Sequence, residues 1–317
     1  MALIQMIHQT MTKNMMDNLF IKFIEGIDAG NFLRVGNRDY DLFIGKDDEG
    51  RYCFEYRGRF KPIKIIGSKP LVVNQYSLPT EYILRFSLGQ NDLIGCFSAF
   101  CEDLIDATDK VSGEEAVYQT LSARYQAWRK LFKTDRSKLS LPEVMGLIGE
   151  LLFLKTYASE KWGWDKALDS WSGPEKTHKD FSCDNDWFEI KAINVGKETV
   201  HISSIEQLDS DIVGKLMIFS LEKMSTTYNG LTLNTLVKDI MGLLNTTQKD
   251  VFLNKLILYG YDFSPEHDAQ VFDTKGETAY SITETFPRIK KSNLPLAITK
   301  TQYDIVISEI QQFKTEI

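Results

Sequence analysis

Lys179-Asp180-Phe181-Ser182-Cys183-Asp184-Asn185-Asp186-Trp187-Phe188-Glu189-Ile190-Lys191-Ala192-Ile193 is the stretch that decides the fold of this chain. Asp184-Asn185-Asp186 has the chemistry of a tight turn, which folds Lys179–Cys183 back on Trp187–Ile193 as an antiparallel hairpin. Side chains alternate along a strand, so Glu189 and Lys191 share one face while Phe188, Ile190 and Ala192 take the apolar other. The hairpin register carries Asp180 to Glu189 across the pair. Two carboxylates so placed repel unless a cation lies between them, and a hard divalent ion with oxygen ligands suits the arrangement. A neighbouring ammonium can orient an attacking water and help deprotonate it, while a metal lowers that water's pKa and offsets charge on a phosphate. The competing reading is a surface strand with a Glu–Lys pair. The chain has a single E-x-K triplet, and it lies in an apolar strand after a turn. A rival triplet, Asp273-Thr274-Lys275 with Asp268 upstream, has little apolar flank and reads as a turn between strands.

Upstream, Glu150 interrupts Gly146-Leu147-Ile148-Gly149-Glu150-Leu151-Leu152-Phe153-Leu154. At helical spacing it sits at the edge of the apolar face, where a half-buried carboxylate needs a partner. That partner is a metal or its water shell, or else the residue makes a salt bridge or stands at an exposed edge; the helix alone does not choose. Glycine is costly inside a helix, so Gly146 and Gly149 imply close packing on a sheet. Ser140-Leu141-Pro142-Glu143 fits a capping box and predicts a helix from there to about Ala158.

Further out, periodicity predicts helices over 4–27, 114–132, 231–244, 251–258 and 301–313. Turn signals at 46–50 predict a hairpin of 40–45 with 51–56, followed by strands at 63–66, 71–76 and 82–88. Residues 102–113 read as a linker. Strands are expected at 179–183, 187–193, 200–203 and 215–221, with more within 269–290. The chain thus divides into a β-rich N-terminal domain over 1–105 and a second domain over 106–317, in an α+β (α/β) class.

The 317 residues carry a net charge of −7, which argues against coating nucleic acid by bulk electrostatics. No run of 18 apolar residues predicts a membrane span. The start MALIQMIHQTMTKN lacks the pattern of a secretion signal, which predicts a cytoplasmic protein. Cys53, Cys96, Cys101 and Cys183 show no CxxC spacing, and the four histidines are scattered, so zinc is not expected. Arg124, Arg129, Lys130, Lys133, Arg136 and Lys138, against one acid, form the densest basic stretch. It is either a grip on phosphates or a solvated helix face. Arg288, Lys290 and Lys291 form a second cluster.

The segments GLIGELLFL (146–154), WSGP (171–174), Asp180-Phe181, FEIKA (188–192) and HISSIEQL (201–208) together resemble the PD-(D/E)XK nuclease superfamily. More narrowly, the chain resembles an uncharacterised PD-(D/E)XK family encoded in bacterial restriction and phage-defence gene clusters, over most of its length. The resemblance implies a restriction-endonuclease-like αβββαβ core with a mixed sheet flanked by helices. It implies Mg2+, with Mn2+ as a substitute, held by Asp180, Glu189 and the Ile190 carbonyl, with Glu150 acting directly or through water and Lys191 as the catalytic lysine. Lys179 stands where the superfamily pattern has proline. Gln207 is expected either at the scissile phosphate or as a loop-bracing amide. The activity implied is DNA phosphodiester hydrolysis within a defence system, with DNA and other subunits as partners and a homodimer compatible. The alternative is a catalytically silent nuclease fold serving as a DNA- or protein-binding subunit.

Overall fold

The computed structural model describes residues 22–23, 26–109, 111–132, 138–175 and 179–317. The chain forms two compact units, Met1–Arg136 with Asp262–Ser264, and Ser137–Tyr261 with Pro265–Ile317. The helix expected over 4–27 lies outside the described residues, except that 22–23 are helical and 26–27 are not. No described helix is long and apolar enough to cross a membrane.

The first unit is an antiparallel sheet of β1 (Phe32–Arg34), β2 (Asp41–Lys46), β3 (Tyr52–Gly58), β4 (Leu71–Ser77) and β5 (Tyr82–Leu88) in the order β1-β2-β3-β5-β4. Two helices, α1 (Ile94–Thr108) and α2 (Glu114–Trp128), pack against it. Phe86 meets Phe100 and Tyr125, and the Tyr56 hydroxyl donates to Glu114 O at 2.9 Å. These contacts are why α2 belongs with the sheet. The expected linker at 102–113 is in part the end of α1. Asp103 within it is buried and accepts from Arg124 Nε and Trp128 Nε1, both at 2.7 Å. The strand expected at 63–66 does not form. Tyr118 and Gln75 side chains take the Ile63 backbone groups instead.

The second unit holds a mixed sheet, β12-β10-β9-β7-β6. Its strands are β6 (Phe181–Cys183), β7 (Asp186–Asn194), β9 (Gly214–Met224), β10 (Val271–Ile282) and β12 (Lys314–Thr315). β7 and β9 run parallel and the other pairs antiparallel. Helix α3 (Leu141–Phe153), capped by the Ser140/Glu143 box, packs on β7. A Cβ at Gly149 would lie 3.2 Å from Ala192 Cβ, so the glycine sets the close approach of helix to sheet. The helix does not stop near Ala158. A π turn over Leu154–Ala158 leads into α4 (Ser159–Ser170), which breaks at Gly163, φ 75°. Two further helices, α5 (Leu233–Leu243) and α6 (Thr246–Tyr259), complete the six described.

On the opposite face, Trp187, Ile193, Leu216 and Ile218 share a core with β8 (Thr199–Ile202) and β11 (Tyr303–Val306). β8 leaves the main sheet and pairs with β11 alone. The helix expected over 301–313 is therefore a strand followed by a 3-10 stretch, Ile307–Phe313. Alternation with Ile305 inward and Val306 outward, a period of two, overrides the helical pattern. Asp273-Thr274-Lys275 is no turn between strands. It lies within β10, beside a bulge between Thr274 and Gly276.

Candidate active site

The β6–β7 hairpin is the site's frame. Asp184 in its turn adopts φ 53°, a left-handed conformation that aspartate tolerates. Phe181 pairs with Phe188, so the register extended by one residue sets Asp180 opposite Glu189. Asp180 Oδ2 accepts from the Ile190 N–H at 2.7 Å, which fixes the carboxylate against β7. Glu189 is 1% exposed, and Lys191 Nζ lies 2.9 Å from its Oε1. Beyond that ion pair neither Glu189 oxygen accepts a hydrogen bond from the described residues. Lys191 Nζ also donates to Gln207 Oε1 at 3.1 Å.

Glu150 arrives from α3, 7% exposed. Its Oε2 accepts from Trp171 Nε1 at 2.7 Å, and the Tyr259 hydroxyl of α6 donates to the Glu143 carbonyl of the same helix at 3.4 Å. Burial raises Glu150 well above the usual carboxylate range, and the charges of Asp180 and Glu189 push it further. Burial also raises Glu189, to about 8, with Asp180 adding to it and Lys191 opposing. Asp180 is raised by burial although Lys191 and the Ile190 N–H pull it down. Burial works to lower Lys191, but Glu189 and Asp180 outweigh it and hold the ammonium above its ordinary value. The three acids and the lysine named from the sequence are thus brought into one electrostatic cluster.

The cluster has the features of an oxygen-ligand cation site. Its donors are carboxylates, the two buried Glu189 oxygens accept no hydrogen bond beyond the Lys191 ion pair, and Asp180 raises both Glu150 and Glu189. Among the described residues no three Asp, Glu, His or Cys side chains form a ready-made metal-binding group. A set of two carboxylates and the Ile190 carbonyl needs no third side chain. On this donor chemistry the residues fit a hard divalent ion.

Gln207 braces a loop and faces the lysine at once, because its Oε1 also accepts from Ser203 N at 2.8 Å. Lys179, which the sequence offered only as a missing proline, anchors that loop. Its ammonium donates to the carbonyls of Glu206 (2.6 Å), Gln207 (2.8 Å) and Asp209 (3.2 Å) and lies 3.9 Å over the Trp187 ring. Arg288 donates to the carbonyls of Leu208 (2.6 Å) and Ser210 (3.1 Å). Two cations therefore hold five consecutive carbonyls, and with them the Gln207 that meets Lys191. A lysine in the proline position was the one signal that could have pointed to this. Trp171 and Tyr259 went unassigned because their roles depend on long-range packing.

Among the described residues the basic stretch is not a single patch. Arg124 is buried against Asp103, and Arg129, on the surface, donates to Gln126 at 2.9 Å. Both belong, with Lys130, to the first unit, whereas the acids lie in the second. Lys133 and Arg136 lie outside the described residues.

A family model described as "Putative PD-(D/E)XK family member, (DUF4420)" matches residues 28–308. No curated protein and no solved structure matches the chain.

Proposed function

Since the chain belongs to that PD-(D/E)XK family, we propose that it is a Mg2+-dependent deoxyribonuclease, the cutting component of a bacterial restriction or phage-defence system. The observation that carries the proposal is Glu189. It is a buried carboxyl that meets the Lys191 ammonium at 2.9 Å and accepts no hydrogen bond beyond that ion pair, with Asp180 and Glu150 in the same cluster. Such a group is costly to ionise where it stands, and cation binding is a function that would offset that cost. Asp180, Glu189 and the Ile190 carbonyl would hold Mg2+, or Mn2+ in its place, with Glu150 assisting directly or through water. When bound, the ion would lower the pKa of an attacking water and offset charge building on the phosphate.

The protein's own groups do the rest. The Ile190 N–H holds Asp180 Oδ2 and so presents Oδ1. Lys191, kept protonated by Glu189 and Asp180, is suited to orient the nucleophile and to stabilise the phosphate as a cation rather than to act as a base. Gln207 limits where that ammonium can point. With a net charge of −7, target capture is assigned to a local surface or to partner subunits.

Incubation of supercoiled plasmid with the purified protein tests this. Nicking or linearisation that requires Mg2+ or Mn2+ and disappears in Asp180→Ala is expected. An inert wild type that still binds DNA would instead make this a nuclease fold retained for binding.

A further inference from the structure

Between α4 and β6 runs Trp171-Ser172-Gly173-Pro174, which touches both Glu150 and Asp180. Trp171 is fully buried, and its indole N–H needs a partner there. The partner is Glu150 Oε2, at 2.7 Å. Two residues on, a Cβ added to Gly173 would overlap that same Glu150 oxygen and lie 3.2 Å from Asp180 Oδ1. The two carboxylates therefore meet against a bare α-carbon, and no other residue type fits without moving one of them.

The turn is fastened on several sides. Ser172 N and Gly173 N both donate to Asp180 O, at 2.8 and 3.2 Å, and Ser172 Oγ donates to Lys179 O at 2.8 Å. From α6, the buried Lys255 ammonium donates to Trp171 O and to Glu175 Oε1, the latter at 3.0 Å. The Trp171 ring packs between Phe181 and Phe252. A donor held this firmly takes one oxygen of Glu150 and removes the freedom of the other.

We propose that Trp171 and Gly173 are positioning residues that fix Glu150 relative to Asp180 and thereby set the affinity and selectivity of the site for divalent cations. This rests on the cation-dependent reading above. Mg2+ demands near-ideal octahedral geometry, whereas Ca2+ accepts six to eight ligands in flexible arrangements. Loosening or displacing Glu150 therefore weakens Mg2+ more than Ca2+.

Calorimetric titration of MgCl2 and CaCl2, without nucleic acid, into full-length wild type, W171F and G173A tests the assignment. The Mg2+ Kd rises about tenfold in W171F, the size expected for a residue supporting a ligand, and at least as much in G173A. The Ca2+ Kd moves by less than about threefold. If G173A fails to fold, W171F decides alone, since it keeps most of the ring's packing. Wild-type Mg2+ affinity in W171F, or equal losses for both ions, overturns this proposal and leaves the nuclease reading standing. A wild type that binds neither ion overturns both.

Discussion

Two strands of this molecule carry nearly the same triplet, Glu55-Tyr56-Arg57 in β3 and Glu189-Ile190-Lys191 in β7. In each the glutamate is almost wholly buried on an interior strand, with its cation two residues on. Their surroundings differ. Glu55 accepts from Arg57 Nε and NH2 at 3.1 and 2.9 Å and from Arg85 Nε at 2.5 Å, so two guanidiniums fill its oxygens. Those guanidiniums in turn lie over Phe43 and Tyr76. Glu189 has one ammonium partner, accepts no hydrogen bond beyond that ion pair, is pushed up by Asp180 and itself acts on Glu150. Burial of a carboxylate is thus not what marks a site. The mark is burial without satisfaction, in the company of like charge.

The comparison can be broken at Glu55 first. Glu55→Ala would strand two arginines, and the first unit should lose about 3–5 kcal/mol by chemical denaturation. Its Mg2+ affinity in the second unit should stay as in wild type. A Glu55→Ala protein as stable as wild type would erase the distinction drawn here.

Lys191→Ala should next lower the cleavage rate by roughly 100- to 1,000-fold, as loss of one transition-state donor does, measured at a temperature where the variant is still folded. Retained cleavage would remove the lysine from the mechanism.

The third effect is a pH dependence of opposite sense to ordinary acid unfolding. Glu189 in the folded protein titrates at about 8, above the ordinary 4.5. The folded state therefore binds the proton more tightly than the unfolded state. The contribution of this group is complete below the ordinary glutamate value and is lost as pH rises through about 8. In EDTA the melting temperature should fall between pH 5 and 8.5, and Glu189→Gln should flatten that fall. Added Mg2+ should restore stability at pH 8.5 and do little at pH 5, because binding must displace the protons. Stability in EDTA that rises over this range would contradict the buried, crowded acid.

The smallest effect belongs to Gln207. Gln207→Ala should slow cleavage about three- to tenfold, the worth of one ordinary hydrogen bond of about 1 kcal/mol, without changing Mg2+ affinity. A changed affinity would mean that the amide acts on the cation site itself.

The cluster was legible wherever its geometry is local. A two-residue turn and strand alternation placed Asp180, Glu189 and Lys191, and helical spacing marked Glu150. The family was legible in the same segments. What escaped depends on contacts distant in sequence. Residues 102–113 look like a linker until Arg124 and Trp128 are folded onto Asp103. Lys179 looks like a lost proline until five residues of loop close on it and Arg288. Tyr303–Val306 has residues that suit either a helix or a strand, and pairing with Thr199–Ile202 settles it.

The central claim is that Glu189 faces an ion that Asp180 shares. Crystals of the protein soaked in MnCl2, with data collected for anomalous scattering, test it directly. The account predicts a peak bounded by the carboxylates of Asp180 and Glu189 and the carbonyl of Ile190. A saturated soak with no peak there, and Lys191 still paired to Glu189, would contradict it.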